Sequence, residues 1–276
     1  MKPETQHKEE LKMGKMPHIR LDSTIGADAA ILPGDPARVL AAAAHMKDVR
    51  EEAFNREYRS VTGTYRGKRI IVMSTGMGGA STAIGLEELA DIGVRKVIRI
   101  GSCGALQSSL RLGDLVICER AVCDDGASQT YMGSLRYAAQ ELNGDRSREE
   151  EEEAGFIRFA SADADLAESC RQAAQRLGYP HTVGSTRCHD RLYSDGKVDL
   201  DAFYSAKGIT ASDMETAALL AAAACRGVQA CSILNVVVEW QADLREGVSS
   251  YNEGAKAAAL GEEREILTAL EALASC

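Results

Sequence analysis

The sequence has no apolar run near the roughly 18 residues that a membrane-spanning helix needs. Its longest apolar stretch, Met214 to Cys225, is Ala-rich and contains Glu215, and reads as a buried helix. A surplus of positive charge is missing too. Thirty-two Lys and Arg stand against 41 Asp and Glu, a formal net charge of -9, which is the wrong sign for displacing counterions from a nucleic acid. The polar start MKPETQHKEELKMGKM is followed by no apolar h-region, so the expected setting is the cytoplasm, with no membrane or nucleic acid as partner. The eight cysteines (103, 118, 123, 170, 188, 225, 231 and 276) form no C-x-x-C pair, and the five histidines complete no zinc spacing. Reduced thiols of a cytosolic protein are therefore expected. Two common nucleotide loops are also absent. Ser81 stands where G-x-G-x-x-G, begun by Gly76 and Gly78, needs its third glycine. No segment matches the P-loop G-x-x-x-x-G-K-[ST].

What is present is enough apolar material for a packed fold. Hydrophobic residues make up 45% of the 276 and charged residues 26%. Residues 1–16 read as a polar extension, and 17–276 as one domain without repeat or linker. Strands are expected at 29–32, 69–74, 96–100, 114–118, 182–187 and 229–238. Helices are expected from Pro36 to about Met46 and over 81–92, 163–177, 212–225 and 255–274. Strands alternating with helices mean α/β with a largely parallel sheet. The segment 141–155, with five consecutive glutamates at 149–153, reads as solvated surface.

In such sheets ligands bind beyond the carboxyl ends of the strands. Three of those junctions are glycine-rich: Gly34, then Gly76/Gly78/Gly79, then Gly101/Gly104. Arginine accompanies them. Arg38 lies in the first turn of a helix, where the dipole disfavours a cation and an anion would relieve it. Arg99 sits inside the apolar strand Val97-Ile98-Arg99-Ile100 and must be paired, either with a ligand anion or with a core carboxylate. Ser102 offers a hydroxyl and an N–H to an oxyanion.

Five segments in this order carry a resemblance: Leu32-Pro33-Gly34-Asp35-Pro36-Ala37-Arg38-Val39, Asn55-Arg56-Glu57-Tyr58, Ser74 to Thr82, Arg99 to Gln107, and Ser212-Asp213-Met214-Glu215-Thr216-Ala217-Ala218. Together they resemble the hexameric branch of the nucleoside phosphorylase family, which holds uridine phosphorylases and bacterial-type purine nucleoside phosphorylases. The resemblance covers roughly residues 17–274. It implies a single α/β domain with a mixed, partly barrel-like central sheet flanked by helices. It also implies a homo-oligomer, at least a dimer and by analogy a hexamer, and phosphorolysis of a nucleoside to base and (deoxy)ribose 1-phosphate. Inorganic phosphate is the implied co-substrate, with no organic cofactor.

The implied roles fall on individual residues of this sequence. Gly34, Arg38, Arg99 and Ser102 match the phosphate site, and Arg56 matches an arginine given by the neighbouring subunit. Glu215 matches the glutamate on the ribose hydroxyls, Met214 lies under the sugar, and His18 matches a histidine reaching a neighbour's ribose. Arg99 and Glu215 carry the catalytic burden. Glu57, Met77 and Ser81 match a monovalent-cation (K+) site between subunits. The base pocket would be formed by Cys103, Gly104, Leu192, Tyr193, Val236, Val237, Val238 and Trp240.

Departures concentrate in that pocket. The acid of the purine enzymes is replaced by Val238, with Glu239 one residue out of register. The loop from Leu192 to Asp199 lacks the glutamine and arginine of the uridine enzymes, and Trp240 stands where a further arginine is expected. An apolar wall is expected, with uridine-like nucleosides ahead of purines. A purine phosphorylase, a hydrolytic nucleosidase and a non-catalytic nucleoside binder are the alternatives.

Overall fold

Period-two alternation places the sheet at the centre of the molecule. The computed structural model describes residues 14–143, 157–193, 199–252 and 256–275. In β1 (Ala29–Pro33) every residue is buried. Ala30 and Leu32 join one apolar cluster, Ala29 and Ile31 another on the opposite face. The first is covered by α2 (Gly79–Asp91), α3 (Gly126–Asn143) and α6 (Thr216–Arg226). The second is covered by α1 (Pro36–Ala43), α4 (Ala164–Leu177) and α8 (Lys256–Ser275). The result is a sheet between two helical layers.

The remaining strands are β2 (Lys47–Asn55), β3 (Tyr58–Tyr65), β4 (Lys68–Met73), β5 (Lys96–Ala105), β6 (Leu115–Asp124), β7 (Phe159–Ser161), β8 (His181–His189), β9 (Ala211–Asp213) and β10 (Gln229–Val238). They follow the order β10-β6-β8-β9-β5-β1-β4-β3-β2, with β7 beside β6. The sheet is mixed: β5 runs parallel to β1 and β10, while β2 to β4 form antiparallel pairs. Because β5 also pairs with β9, the strands β5, β10, β6, β8 and β9 close into a ring. That ring is the barrel-like part.

Several elements differ from the sequence reading. The helix from Pro36 stops at Ala43 and a strand begins at Lys47. β2 reads KDVREEAFN and is largely exposed, so its charge hid it; charged edge strands resist unwanted pairing. Gly101-Ser102-Cys103-Gly104 is strand, not turn, because β10 keeps pairing alongside it as far as Val238↔Gly104. The helix read from 212 begins at Thr216, after the short β9. Helices α3, α5 (Leu200–Ala206) and α7 (Leu244–Asn252) are additional to the helices expected from the sequence. Met16 belongs to the buried core, so packing begins inside the supposed extension. The glutamates 149–153 lie outside the described residues.

The C-terminal helix reaches the sheet through a glycine. A Cβ at Gly261 would lie 2.5 Å from the side-chain carbon of Asn235 on β10 and 2.8 Å from the Gly113 Cα. Asn235 meanwhile donates its amide to the Ala258 carbonyl at 2.8 Å. Gly261→Ala should therefore cost roughly 1–3 kcal/mol by overpacking. A denaturant midpoint unchanged from wild type would show that α8 does not need this close approach.

Candidate active site

The first two glycine-rich junctions meet directly. Gly76 donates its N–H to the Gly34 carbonyl at 2.9 Å, and Thr75 donates to Pro33 at 2.9 Å. Beyond β1, Asp35 caps α1 by accepting from Ala37 N–H at 2.8 Å, with Pro36 in the first turn. This fixes Arg38 on the helix, buried to 6% exposure. Its guanidinium meets Glu262 at 3.2 Å and Glu265 at 3.2 Å, and donates to the Tyr251 hydroxyl. Burial works against the charge on Arg38, and Glu265 foremost among its neighbours holds it.

Arg99 is the second cation, 3% exposed near the middle of β5. Its Nε donates to Asp213 at 3.4 Å and its Nη2 to Glu215. Burial again opposes the charge, and Glu215 and Asp213 outweigh it. Nη1 is buried with no hydrogen-bond partner among the described residues. Gly101 makes room for this arrangement: a Cβ there would sit 2.6 Å from Nη2 and 3.4 Å from Nη1. Glu215 is held from a second side by the Gly78 N–H at 2.6 Å. Asp213 accepts from Thr216 N–H at 3.0 Å and from its hydroxyl at 2.6 Å, so one carboxylate both starts α6 and faces Arg99.

Gly34, the Gly76–Gly78 turn, Arg38, Arg99 and Glu215 thus share one locality at the carboxyl ends of β1, β4 and β5. Ser102, half-buried, lies next along β5. Four residues there went unread in the sequence: Asp213, Tyr251, Glu262 and Glu265. The GEERE run looks like solvated charge. A signal existed, because Glu265 continues the buried stripe Ala258, Gly261, Thr268 and Ala272 of α8 at helical spacing.

His18 and Arg56 form a separate patch. Asn55 at the end of β2 donates to the His18 carbonyl at 2.7 Å. Glu88 accepts from His18 N–H at 3.0 Å and from Ile19 N–H at 2.9 Å, and its other oxygen lies 2.6 Å from the His18 ring. Arg56 sits exposed at the hairpin tip with φ 54° and makes no ion pair among the described residues. Glu57 folds back toward Gly76 and accepts from the Ser81 hydroxyl at 2.9 Å. The Met77 side chain is 87% exposed.

The three valines do not share one wall. A register shift between Val236 and Val238 breaks the alternation. Val236 packs with Cys103 and Leu234, with Trp240 against the same cluster. Val237 and Val238 instead pack with Ala258 and with Leu244, Val248 and Tyr251. They line a cleft of about 170 Å³ beneath α7, shared with Glu239 and Asp243. Glu239 accepts from Leu112 N–H at 3.4 Å. Gly104 pairs with Val238 and faces Ser212. Leu192 is half-buried, and the exposed Tyr193 ring lies 4.4 Å beneath the Arg245 guanidinium of α7. Residues 194–198 of this loop, Asp195 and Lys197 among them, lie outside the described residues.

Burial pushes the Cys103 thiol well above its ordinary range, with Asp213 and Glu265 adding to it. It is a packing group, not a thiolate nucleophile. Iodoacetamide at neutral pH should label the exposed Cys225 and leave Cys103 unmodified in the native protein. Peptide mapping that finds Cys103 alkylated first would contradict this.

Similarity to known proteins converges on one family. The sequence profile of the Phosphorylase superfamily matches residues 28–272. A uridine phosphorylase from Thermococcus kodakarensis is 36% identical over 192 residues, 69% of this chain and 61% of that protein. A guanosine phosphorylase from Halorubrum lacusprofundi is 31% identical over 261 residues, 95% of this chain and 99% of that one. The crystal structure of a uridine phosphorylase from Vibrio fischeri superposes with a TM-score of 0.80 at 35% identity, covering 95% of this chain and 98% of that chain. With Arg38 and Arg99 buried beside carboxylates and this match over nearly its whole length, the chain belongs to the phosphorylase superfamily.

Proposed function

We propose that the chain cleaves nucleosides by phosphorolysis, yielding free base and (deoxy)ribose 1-phosphate. One observation carries this reading: Arg99 is buried, charged and, among the described residues, left with one N–H donor without an acceptor beside Glu215. Hydrogen phosphate would bind to Arg38, Arg99, Ser102 and the Gly34 turn. One of its oxygens attacks C1′ as the bond from C1′ to the base nitrogen breaks, and the bonding pair leaves with the base. Holding the anion in line and balancing charge is the whole task, and it needs no covalent nucleophile. Glu215 would hold the ribose hydroxyls, where its contact strengthens as positive charge grows on the sugar. Met214 would lie beneath the ring.

For the base, the reading favours uridine-type nucleosides. Val238 packs under α7, and Glu239 is engaged with Leu112, so neither supplies a purine with a proton. Cys103, Gly104, Val236 and Trp240 would line the pocket, with Leu192 and Tyr193 at its rim. The similarity to a guanosine phosphorylase keeps the purine reading as the competitor.

The patch of His18 and Arg56 would serve the site of a second copy. Arg56 is exposed and makes no ion pair among the described residues, and Phe54 and Met77 are 60% and 87% exposed, apolar surface that a neighbouring subunit would cover. At least a dimer follows, and a hexamer fits the family. Glu57 and Ser81 offer hard oxygens suited to a monovalent cation such as K+; Met77 could add only its backbone carbonyl. The described residues contain no helix long and apolar enough to cross a membrane, and a cytoplasmic setting is consistent with the sequence.

Three experiments test this proposal. Cleavage of uridine, thymidine, inosine and guanosine, followed with and without phosphate, should show phosphate dependence and fastest turnover of uridine. Arg99→Ala should lose on the order of 3 kcal/mol of transition-state stabilisation, more than a hundredfold in rate. Equal turnover in phosphate-free buffer would make the protein a nucleosidase, and a preference for guanosine would make it a purine enzyme. Separately, inactive Arg56→Ala and inactive Glu215→Ala proteins should regain partial activity when their subunits exchange. A fully active monomer on a sizing column would refute the shared site.

A further inference from the structure

A carboxylate stands where an anion site should have none. Glu265 on α8 is wholly buried, and both its oxygens are engaged. One lies 3.2 Å from Arg38 Nη1, and the other accepts the Gly101 N–H at 3.1 Å. Gly101 follows the last β5 residue paired with β1, Ile100, so Glu265 occupies donors that an incoming oxyanion would use. The groups facing it come from every neighbouring element: Arg38 from α1, Arg99 and the Cys103 thiol from β5, Tyr251 from α7, and Glu262 from its own helix. Burial is the dominant influence on Glu265. It lifts the carboxyl to about 8 even though Arg38, Arg99 and the Gly101 N–H pull the other way.

Two further facts indicate that the cluster is built for an anion and is not a closed ion pair. The Nη1 of Arg99 is buried without an acceptor among the described residues. It also lies against Gly101, whose N–H Glu265 occupies. A donor is therefore waiting beside a carboxyl group that would repel a fully ionised anion.

Resting on the phosphorolytic reading, we infer that Glu265 selects the oxyanion by requiring one proton between its carboxyl group and an anion oxygen. Hydrogen phosphate or arsenate brings its own proton and donates it as a hydrogen bond to the Glu265 carboxylate. Sulfate brings none, and enters only while Glu265 itself is protonated and acts as donor. No bond is made or broken beyond this shared hydrogen bond. The same acceptor that weakens the clamp for a bare dianion makes it specific for a protonated one.

The test is direct binding of sodium phosphate and sodium sulfate to the full-length protein at matched ionic strength, by calorimetry, from about pH 7.5 to about pH 9, where inorganic phosphate is mainly the singly protonated dianion. In wild type, sulfate affinity should fall roughly tenfold per pH unit once Glu265 ionises, while phosphate affinity falls far less. The phosphate-to-sulfate ratio therefore widens with pH. Glu265→Gln offers a neutral N–H donor at every pH, so the ratio should stay flat and sulfate should bind at about pH 9. A ratio flat with pH in wild type, or one widening equally in Glu265→Gln, overturns the assignment, as does wild type that binds neither anion. If Glu265→Gln does not fold, the wild-type pH series decides alone. Product analysis separates the two readings. Phosphate-dependent cleavage with a flat ratio removes only the role of Glu265, whereas cleavage without phosphate removes the phosphorolytic reading itself.

Discussion

The charge on Arg99 is the constraint around which this molecule is arranged. A guanidinium inside a sheet stays ionised only if carboxylates and hydrogen bonds replace the water it has lost. Here Glu215 and Asp213 do so, and each is itself fixed by a second duty. Asp213 begins α6 by accepting from Thr216, and Glu215 is tied to the glycine turn by the Gly78 N–H. Gly101 leaves the space in which the guanidinium lies. The position of one side chain thus depends on a helix start, a turn and a missing Cβ, and all three sit at the same end of the sheet.

Arg38 repeats the solution with different parts. Its counter-charges come from α8 and its hydroxyl partner from α7. The C-terminal helices therefore contribute polar groups as well as apolar packing. Tyr251 shows how closely the two roles are joined. Its hydroxyl meets Arg38 and donates to Glu262 at 2.9 Å, while its ring lies against Val237 and Val238. The Arg38 cluster and the apolar cleft share that residue as a common wall.

Much of this was legible in the chain. Short β-branched strands, glycine at the strand ends and an arginine inside an apolar run indicate an α/β fold whose glycine turns and buried arginines gather at one end of the sheet. The family motifs added Glu215 and Gly34 to the same place. What stayed hidden has physical reasons. β2 carries charge at five of its nine positions and so lacks the apolar alternation of a strand. Gly101 to Gly104 looked like a turn because local preference cannot see that β10 will pair alongside it. Three consecutive valines cannot share one face of a strand, and the register shift after Val236 sets Val238 with Val237 where regular alternation would return it to the side of Val236. Glu265 was concealed in a run of acidic residues, although its place in the buried stripe of α8 distinguishes it from its neighbours.

The ends of the chain meet at Arg38 and Glu265, 227 residues apart. β5 likewise must pair both with β1, made long before it, and with β10, made long after. Contacts of such separation carry a large loop-closure cost and form late. During synthesis, Arg38 and Arg99 therefore leave the ribosome well before the carboxylates that balance them. Until α8 is released, Arg38 lacks Glu262 and Glu265, whereas Asp213 and Glu215 are already available to Arg99. The Arg38 cluster is thus completed only with α8, and a chain cut short before that helix would have all ten described strands and neither of the carboxylates that meet Arg38.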